Sequence, residues 1–240
     1  MSERPVVFSA SSVNSYINCH LQWYFSYVGV IMGETSEPQR VGIAVHDYAE
    51  RRLRRDPVII ERTPYKEFWP IFDAATVFER DILPTYRNPV LIEAEFQLEV
   101  NGIPYSGILD SVDEHDTPWG SSLILRDLKT TGSRPSAGKY RLAMTGYWLG
   151  ATELGYEPHA AQLDYIVRTK TPYYWPEVMD PITDDDIGIL AATLEQVANG
   201  VESGDYRPTG LGTWACRSCS FRGSCGPYIR YQEVTNANES

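Results

Sequence analysis

The spacing of apolar residues predicts helices in the first third of the chain and strands after it. Residues 8–28, 39–55 and 65–83 carry apolar side chains at the three- and four-residue intervals of amphipathic helices. Over 90–100 apolar and polar residues alternate instead, and Asn101-Gly102 follows as a typical hairpin turn. We therefore expect three helices that lead into an antiparallel meander.

The meander continues through a stretch whose acidic residues lie beside apolar runs. Asp110 directly follows Ile108-Leu109, whereas Asp127 and Lys129 follow the apolar run 123–125. Residues two apart in a strand face the same side, so Asp127 and Lys129 should be neighbours, and an adjacent strand can bring Asp110 opposite them. Enzymes that cleave phosphodiesters use such carboxylates to bind Mg²⁺ or Mn²⁺ and a lysine to stabilise developing charge. A surface ion pair on an ordinary hairpin is the alternative.

Beyond the meander the pattern predicts a helix over 139–154, a strand over 160–168, a loop over 169–181 and a helix over 183–201. A helix between the meander and the next strand indicates a mixed sheet covered by helices, which is an α/β fold. The triple aspartate that opens the last helix is typical of an acidic N-cap rather than of a metal site.

Two further groups of charged residues lie on the predicted elements. The helix over 39–55 carries His46 and ends in Arg51, Arg52, Arg54 and Arg55, which suit either compensation of the helix dipole or contact with phosphates. His46 by itself is compatible with an ordinary half-buried histidine. On the first strand, alternation places Glu93 and Glu95 on one face, which makes Glu95 a weaker candidate for the acidic cluster.

Length and charge limit the class of protein. With 240 residues, 42% of them hydrophobic, the chain can form one large domain. Its net charge of −11 argues against broad adhesion to nucleic acid, but a nucleic-acid enzyme with a metal in its acidic site stays possible. No apolar run approaches the roughly 20 residues of a membrane span, and MSERPVVFSASS lacks the apolar centre of a signal peptide. We expect a cytoplasmic protein without a membrane partner.

Three of the four cysteines, Cys216, Cys219 and Cys225, lie in one C-terminal segment with the spacing C-x2-C-x5-C. This spacing lets three thiolates converge on one metal centre, and Cys19 is the remaining cysteine. Four thiolates suit tetrahedral zinc or a [4Fe-4S] cluster, and their number does not decide between them. A core position for Cys19 and unliganded thiols for the other three are the alternatives.

In this combination and order, the motifs resemble the RecB-type branch of the PD-(D/E)XK nuclease superfamily. The sequence is most similar to the iron-sulfur exonucleases related to the RecB-like CRISPR-associated nuclease, which occur in CRISPR systems and in phages. The similarity covers nearly the whole chain. It rests on His46 in GIAVHDYAE, Asp110 in GILD, Asp127 and Lys129 in DLK, and the four cysteines.

The resemblance implies a restriction-endonuclease-like core with an iron-sulfur-stapled helical region. His46, Asp110, Asp127 and the Leu128 carbonyl would bind Mg²⁺ or Mn²⁺, Lys129 would stabilise charge, and Tyr147 would reach the DNA. Cys19, Cys216, Cys219 and Cys225 would hold a structural [4Fe-4S] cluster. The chain would then comprise an N-terminal helical region (1–85), a nuclease core (86–205) and a cysteine segment (206–240) packed on the N-terminal region within one compact domain.

The implied activity is that of a metal-dependent DNA exonuclease, acting on single-stranded DNA or DNA ends and often with 5′-to-3′ polarity. One motif departs from the family pattern, because Ala143 replaces the glutamine of Gln-x-x-x-Tyr four residues before Tyr147. Tyr147 is then either a DNA contact or a core aromatic residue. Two other functions stay open: a DNA-binding adaptor for recombination or CRISPR adaptation, and a zinc-stapled hydrolase with a different substrate. The resemblance also allows a homo-oligomer.

Overall fold

The computed structural model describes residues 6–29, 33, 35–118, 120–136, 138–217 and 219–238. Its first five residues, which belong to the segment considered above as a leader, lie outside this description. Within the described residues a five-stranded sheet has the order β1-β2-β3-β4-β5. The strands are β1 (Asn88–Val100), β2 (Ile103–Thr117), β3 (Gly120–Thr131), β4 (Ala160–Val167) and β5 (Tyr173–Met179).

The pairing of these strands confirms a mixed sheet. β2 and β3 run antiparallel, β3 and β4 run parallel, and β4 and β5 run antiparallel. The turn between β1 and β2 places Asn101 at φ 51° and Gly102 at φ 75°, the two positive values that a tight hairpin turn of this kind needs. The predicted meander and the parallel fourth strand are therefore both present.

Helices precede and follow the strands. They are α1 (Ala10–Asn18), α2 (His20–Tyr27), α3 (Glu37–Leu53), α4 (Trp69–Val77), α5 (Arg141–Glu153), α6 (Asp184–Glu202), α7 (Trp214–Arg217) and α8 (Gly226–Asn238). Short 3-10 or π segments cover Lys66–Phe68, Phe78–Ile82 and Leu83–Thr85. Among the described residues, none of the helices has both the length and the apolar character that a membrane span requires.

Three predicted elements differ from the structure. The helix predicted over 8–28 is broken at Cys19, whose extended backbone (φ −166°, ψ 116°) separates α1 from α2. The loop predicted over 169–181 contains β5, which pairs with β4. The helix predicted over 65–83 is α-helical only over Trp69–Val77, with short 3-10 and π segments on either side.

The described residues form two compact units. One combines the N-terminal segment up to Ser36 with Glu99–Tyr105 and the C-terminal segment from Ala191 onward. Within it the phenol of Tyr16 donates to the Asp205 carbonyl at 2.9 Å, and the Leu21 amide donates to the Arg207 carbonyl at 3.1 Å. The N- and C-terminal segments of the chain are thereby hydrogen-bonded to each other.

The second unit contains Glu37–Leu98 and Ser106–Leu190, and with them most of the sheet. Its apolar core includes buried residues of α3 and α4, and Leu128 of β3 packs among them. Burying the apolar face of α3 in this way fixes the helix relative to β3. This packing determines where the polar side chains of α3 and of the sheet meet.

Candidate active site

Asp110 lies on β2 and Asp127 on the adjacent strand β3. Their chain neighbours, Ser111 and Arg126, lie opposite each other in the antiparallel pairing of the two strands. The side chain of Asp110 accepts a hydrogen bond from the Leu128 amide, with 2.7 Å between Oδ2 and N. This bond fixes the Asp110 carboxylate against β3. The expectation that a neighbouring strand brings Asp110 to the Asp-x-Lys motif agrees with this geometry.

Asp127 and Lys129 form a close ion pair within β3. Nζ of Lys129 donates to Oδ1 of Asp127 at 2.7 Å and lies 2.6 Å from Oδ2. Asp127 is buried, and its Oδ2 accepts no well-aligned hydrogen bond from any described group despite its closeness to the ammonium. A buried carboxylate needs positive charge nearby, and a bound cation would add to the charge that Lys129 supplies.

Burial raises the pKa of Asp127 to about 6, and the Asp110 carboxylate adds to this increase, while Lys129 opposes it. Burial alone would lower the pKa of Lys129, but the carboxylates of Asp127 and Asp110 outweigh it and raise that pKa above its ordinary value. Lys129 is therefore held as an ammonium beside a carboxylate that lacks sufficient compensating positive charge.

α3 brings His46 to the same place. Gly42, one turn earlier in α3, lies so close to Thr130 of β3 that an added Cβ would be 3.4 Å from the Thr130 hydroxyl. His46 then has Nδ1 3.5 Å from Oδ2 of Asp110. Burial lowers the pKa of His46, but Asp110 and Glu93 outweigh this effect, so the pKa is raised overall.

Glu93 of β1 is a member of the site that sequence reasoning missed. Its Oε1 lies 3.9 Å from Nδ1 of His46, and the donors of His46, Glu93 and Asp110 all lie within 4.8 Å of one another. In the described part of the chain no other three His, Cys, Asp or Glu donors are grouped so closely. Glu95, the residue nominated by alternation, is exposed and outside this group.

The site residues fit a divalent cation. The close group consists of an imidazole (His46) and two carboxylates (Glu93 and Asp110), donors that Mg²⁺ and Mn²⁺ accept. Asp127, also predicted as a ligand, is not in this group and is paired with Lys129. Leu128, predicted to offer its carbonyl, has a buried side chain and an amide that donates to Asp110. Its carbonyl as a ligand stays a prediction.

Tyr147 of α5 lies next to the site. Burial raises its pKa to about 12, and Asp127 and Asp110 add to the increase, so the side chain is a neutral phenol at physiological pH. Its ring meets the Phe96 ring edge-on, with centroids 6.4 Å apart. Tyr147 thus combines a core contact with closeness to the charged groups, so both predicted roles remain open.

The four cysteines are half-buried free thiols that line one pocket, together with the rings of Phe25 and Phe221. Burial raises the pKa of Cys216 and of Cys219, and the neighbouring cysteines add to both increases. No three of these four sulfurs lie within 4.8 Å of one another, although all four cysteines are described. The thiols therefore share a pocket without forming a closed metal site.

Three of the four arginines near the end of α3 are paired with carboxylates. Arg51 pairs with Asp47, Arg54 pairs with Glu50, and Arg52 donates to both oxygens of Glu79. Fewer arginine side chains are therefore free to contact phosphates than the four that the sequence suggests. The triple aspartate acts as expected, since Asp186 exchanges hydrogen bonds with Thr183 at the start of α6.

Known proteins resemble the chain in both sequence and fold. The family model of the PD-(D/E)XK nuclease superfamily matches residues 7–226. A protein from Eubacterium rectale, provisionally named an exonuclease, is similar in structure with a TM-score of 0.59 and 14% identity, over 84% of this chain and 83% of that one. The protein named SSO0001 is similar with a TM-score of 0.51 and 14% identity, over 95% and 90% of the two chains. No curated protein sequence matches significantly.

At such low identity the two structures support the fold alone, whereas the family model spans most of the sequence and includes every predicted site residue. The match covers His46, Asp110, Asp127 and Lys129, which the fold brings to one side of the sheet. The chain belongs to the PD-(D/E)XK nuclease superfamily.

Proposed function

We propose that the protein is a metal-dependent DNA exonuclease of the RecB-like type. The observation that carries the proposal is the buried Asp127–Lys129 pair beside Asp110 and His46, in a chain of a nuclease superfamily. Cleavage of a phosphodiester needs an activated water and stabilisation of charge on the phosphate, and these side chains suit both tasks.

His46, Asp110 and Asp127 would hold Mg²⁺ or Mn²⁺, with the Leu128 carbonyl as a further ligand. When bound, such an ion acts as a Lewis acid on the phosphate and lowers the pKa of a water. Asp110 is already oriented by the Leu128 amide, and His46 by the packing of α3. Preorganised donors of this kind need little rearrangement before they bind a cation.

Lys129 stabilises negative charge that develops on the scissile phosphate. Its side chain is 24% exposed, whereas that of its partner Asp127 is 1% exposed, so the ammonium lies between the buried acid and the solvent. A positive charge in this partly desolvated position is worth more than the same charge in bulk water.

The proposed substrate is single-stranded DNA or a DNA end, cut with 5′-to-3′ polarity. Aromatic rings next to Lys129 support a strand with unpaired bases: Nζ lies 5.7 Å from the centre of the Tyr140 ring, and Tyr147 lies near the same ammonium. Stacking on aromatic rings is a common way to bind unpaired bases. The polarity rests on family resemblance.

We further propose a structural [4Fe-4S] cluster on Cys19, Cys216, Cys219 and Cys225. Tetrahedral zinc with bonds of about 2.3 Å requires sulfurs about 3.8 Å apart, and no three of these thiols lie within 4.8 Å of one another. The shared pocket supports one centre for all four thiols, and the choice of a four-iron cluster over zinc rests on family resemblance. Ligation would join the N- and C-terminal segments of one unit.

An adaptor that binds DNA without cutting it is the second candidate. Ala143 in place of the family glutamine and the net charge of −11 favour it, whereas the intact acids and Lys129 favour cleavage. Such an adaptor would act with a recombination or CRISPR partner.

Labelled DNA distinguishes the two functions. Protein purified without oxygen is incubated with single-stranded DNA labelled at the 5′ or 3′ end, with Mn²⁺ and then with EDTA. We expect metal-dependent products that an Asp127→Ala variant loses by at least about a thousandfold. The exposed carboxylate variant Glu95→Ala serves as control. Binding of DNA without products in the unmodified protein would support the adaptor instead.

A further inference from the structure

We propose that Glu93 is a ligand of the divalent metal and that Arg54 is the residue that positions it. The inference rests on the proposed function as a metal-dependent nuclease. It assigns a role to a strand residue outside the Asp-x-Lys motif and to an arginine outside the site.

The side chain of Glu93 lies on the opposite side of β1 from the one that the alternation of exposed and buried residues predicts. From Glu95 to Val100, odd-numbered residues are exposed and even-numbered residues are at least partly buried. This pattern would put Glu93 on the exposed side with Glu95. Instead Glu93 has a positive φ of 44°, and its side chain is 25% exposed and lies next to His46. A single left-handed residue within a strand has changed the direction of the side chain.

A left-handed glutamate is unfavourable, because its Cβ crowds the backbone. Strained residues of this kind persist where the surroundings hold them, and they concentrate at functional sites. Here the conformation delivers a carboxylate to a group that already contains an imidazole and a second carboxylate.

The distances suit a shared ion. Ligands about 2.1 Å from a common Mg²⁺ or Mn²⁺ are separated by about 3 Å when adjacent and about 4.2 Å when opposite. Nδ1 of His46 lies 3.5 Å from Asp110 and 3.9 Å from Glu93, and all three donors lie within 4.8 Å. Small side-chain movements therefore complete the coordination.

Arg54 holds the peptide group that sets this conformation. Its Nη2 donates to the Ile92 carbonyl at 2.7 Å, and its Nε donates to Glu50 at 2.9 Å. The Ile92 carbonyl belongs to the peptide plane that carries the Glu93 nitrogen, so fixing that plane restricts φ of Glu93. Glu50 keeps the guanidinium in place from one turn earlier in the chain.

Binding of Mn²⁺, measured by the electron paramagnetic resonance signal of the free ion, tests the ligand. We expect Glu93→Gln to weaken Mn²⁺ binding by roughly tenfold or more. Glu95→Gln, which removes the same charge two residues away on the exposed side, should bind as tightly as the unmodified protein. Far-UV circular dichroism and melting temperatures in EDTA check that each variant is folded.

The role of Arg54 is tested in the same assay. Arg54→Ala should weaken Mn²⁺ binding by roughly three- to tenfold, and Arg54→Lys should recover part of the loss because an ammonium can still donate to the Ile92 carbonyl. Arg51→Ala, in the last turn of α3 and three residues before Arg54, is the matched control. Unchanged binding in Arg54→Ala would overturn the positioning role.

An Asp110→Asn variant separates this inference from the proposed function. If Asp110→Asn loses both Mn²⁺ binding and cleavage while Glu93→Gln binds Mn²⁺ normally, Glu93 is not a ligand and the nuclease assignment stands. If Asp110→Asn retains metal-dependent cleavage, Asp110 is not part of the site; if the unmodified protein binds Mn²⁺ but cuts no DNA, the proposed function itself is wrong. Weaker Mn²⁺ binding by Glu93→Gln, together with normal Mn²⁺ binding by Glu95→Gln, supports Glu93 as a ligand.

Discussion

Nζ of Lys129 lies 2.6 Å from Oδ2 of Asp127, an acid that the protein buries almost completely. The pair is therefore asymmetric. Burial raises the pKa of Asp127 to about 6 even with the lysine present. Lys129, by contrast, keeps part of its side chain in contact with solvent, where a substrate can approach.

Replacing this lysine should impair catalysis in protein that far-UV circular dichroism shows to be folded. We expect Lys129→Met to lower the cleavage rate by about 100- to 1000-fold, because a charge that stabilises the reacting phosphate is lost. Single-turnover cleavage of labelled DNA measures the effect. The exposed Lys170 supplies the control variant Lys170→Met. Cleavage by Lys129→Met within threefold of normal would remove Lys129 from the mechanism.

The closeness of α5 to the sheet depends on a glycine. A Cβ added to Gly150 would lie 2.5 Å from the Phe96 ring, the same ring that Tyr147 contacts. We expect Gly150→Ala to destabilise the protein by about 1–3 kcal/mol, because the helix or the ring must move. Urea unfolding measures the change.

Gly188 in α6 is a matched control, since a Cβ added there would meet nothing within 4 Å. Gly188→Ala should be neutral or stabilise the protein by up to about 1 kcal/mol, because alanine favours helices. Equal effects of the two substitutions would show that the Phe96 contact is not limiting.

The start of α6 should give the stability a defined pH dependence. Asp186 accepts hydrogen bonds from Arg141 at 2.8 and 2.6 Å and from Thr183, and these partners hold its pKa well below the usual range. Because the folded pKa is depressed, the contribution is complete above the unfolded pKa of about 3.9 and is lost as pH falls below it.

We expect Asp186→Asn to cost about 1–2 kcal/mol at pH 7 and progressively less below pH 4, as the unmodified protein loses the same charge. Urea unfolding at pH 7, 5 and 3 tests this. Asp184→Asn, in the same exposed turn, should cost only about 0.5 kcal/mol through the helix dipole. If the loss of stability in Asp186→Asn became larger as the pH falls, the Arg141–Asp186 ion pair would not be its cause.

The cysteine pocket predicts a coloured protein. Protein purified without oxygen should be yellow-brown and contain about four irons per chain, and Cys216→Ala should lose both colour and iron. Ser220→Ala, in the same segment, should keep them. A colourless protein with one zinc per chain would contradict the cluster.

Much of the site follows from local sequence. The period of two in a strand is enough to place Asp127 beside Lys129, and the apolar stripe of α3 is enough to bury one side of the helix that carries His46. Both inferences use only neighbouring residues. Both inferences are correct because the backbone is regular in these parts of β3 and α3.

The missed features arise where the backbone departs from regularity or depends on distant residues. The positive φ of Glu93 changes its facing, and no glycine marks the position. The break at Cys19 likewise has no glycine or proline to announce it. Pro172 and Pro176 lie in the loop predicted over 169–181, yet Tyr173–Met179 is an edge strand, where a missing backbone donor is tolerated.

The hydrogen bonds between Tyr16 and Asp205 and between Leu21 and Arg207 also constrain the order of events during synthesis. Residues 37–190, which hold the proposed catalytic acids, are synthesised before Asp205 and Arg207, the partners of the N-terminal segment. At 5–20 residues per second the remaining roughly 50 residues take about 3–10 s. The N-terminal helices therefore cannot form these hydrogen bonds until the C-terminal segment is synthesised. Cys19 likewise meets the other three cysteines only at that stage.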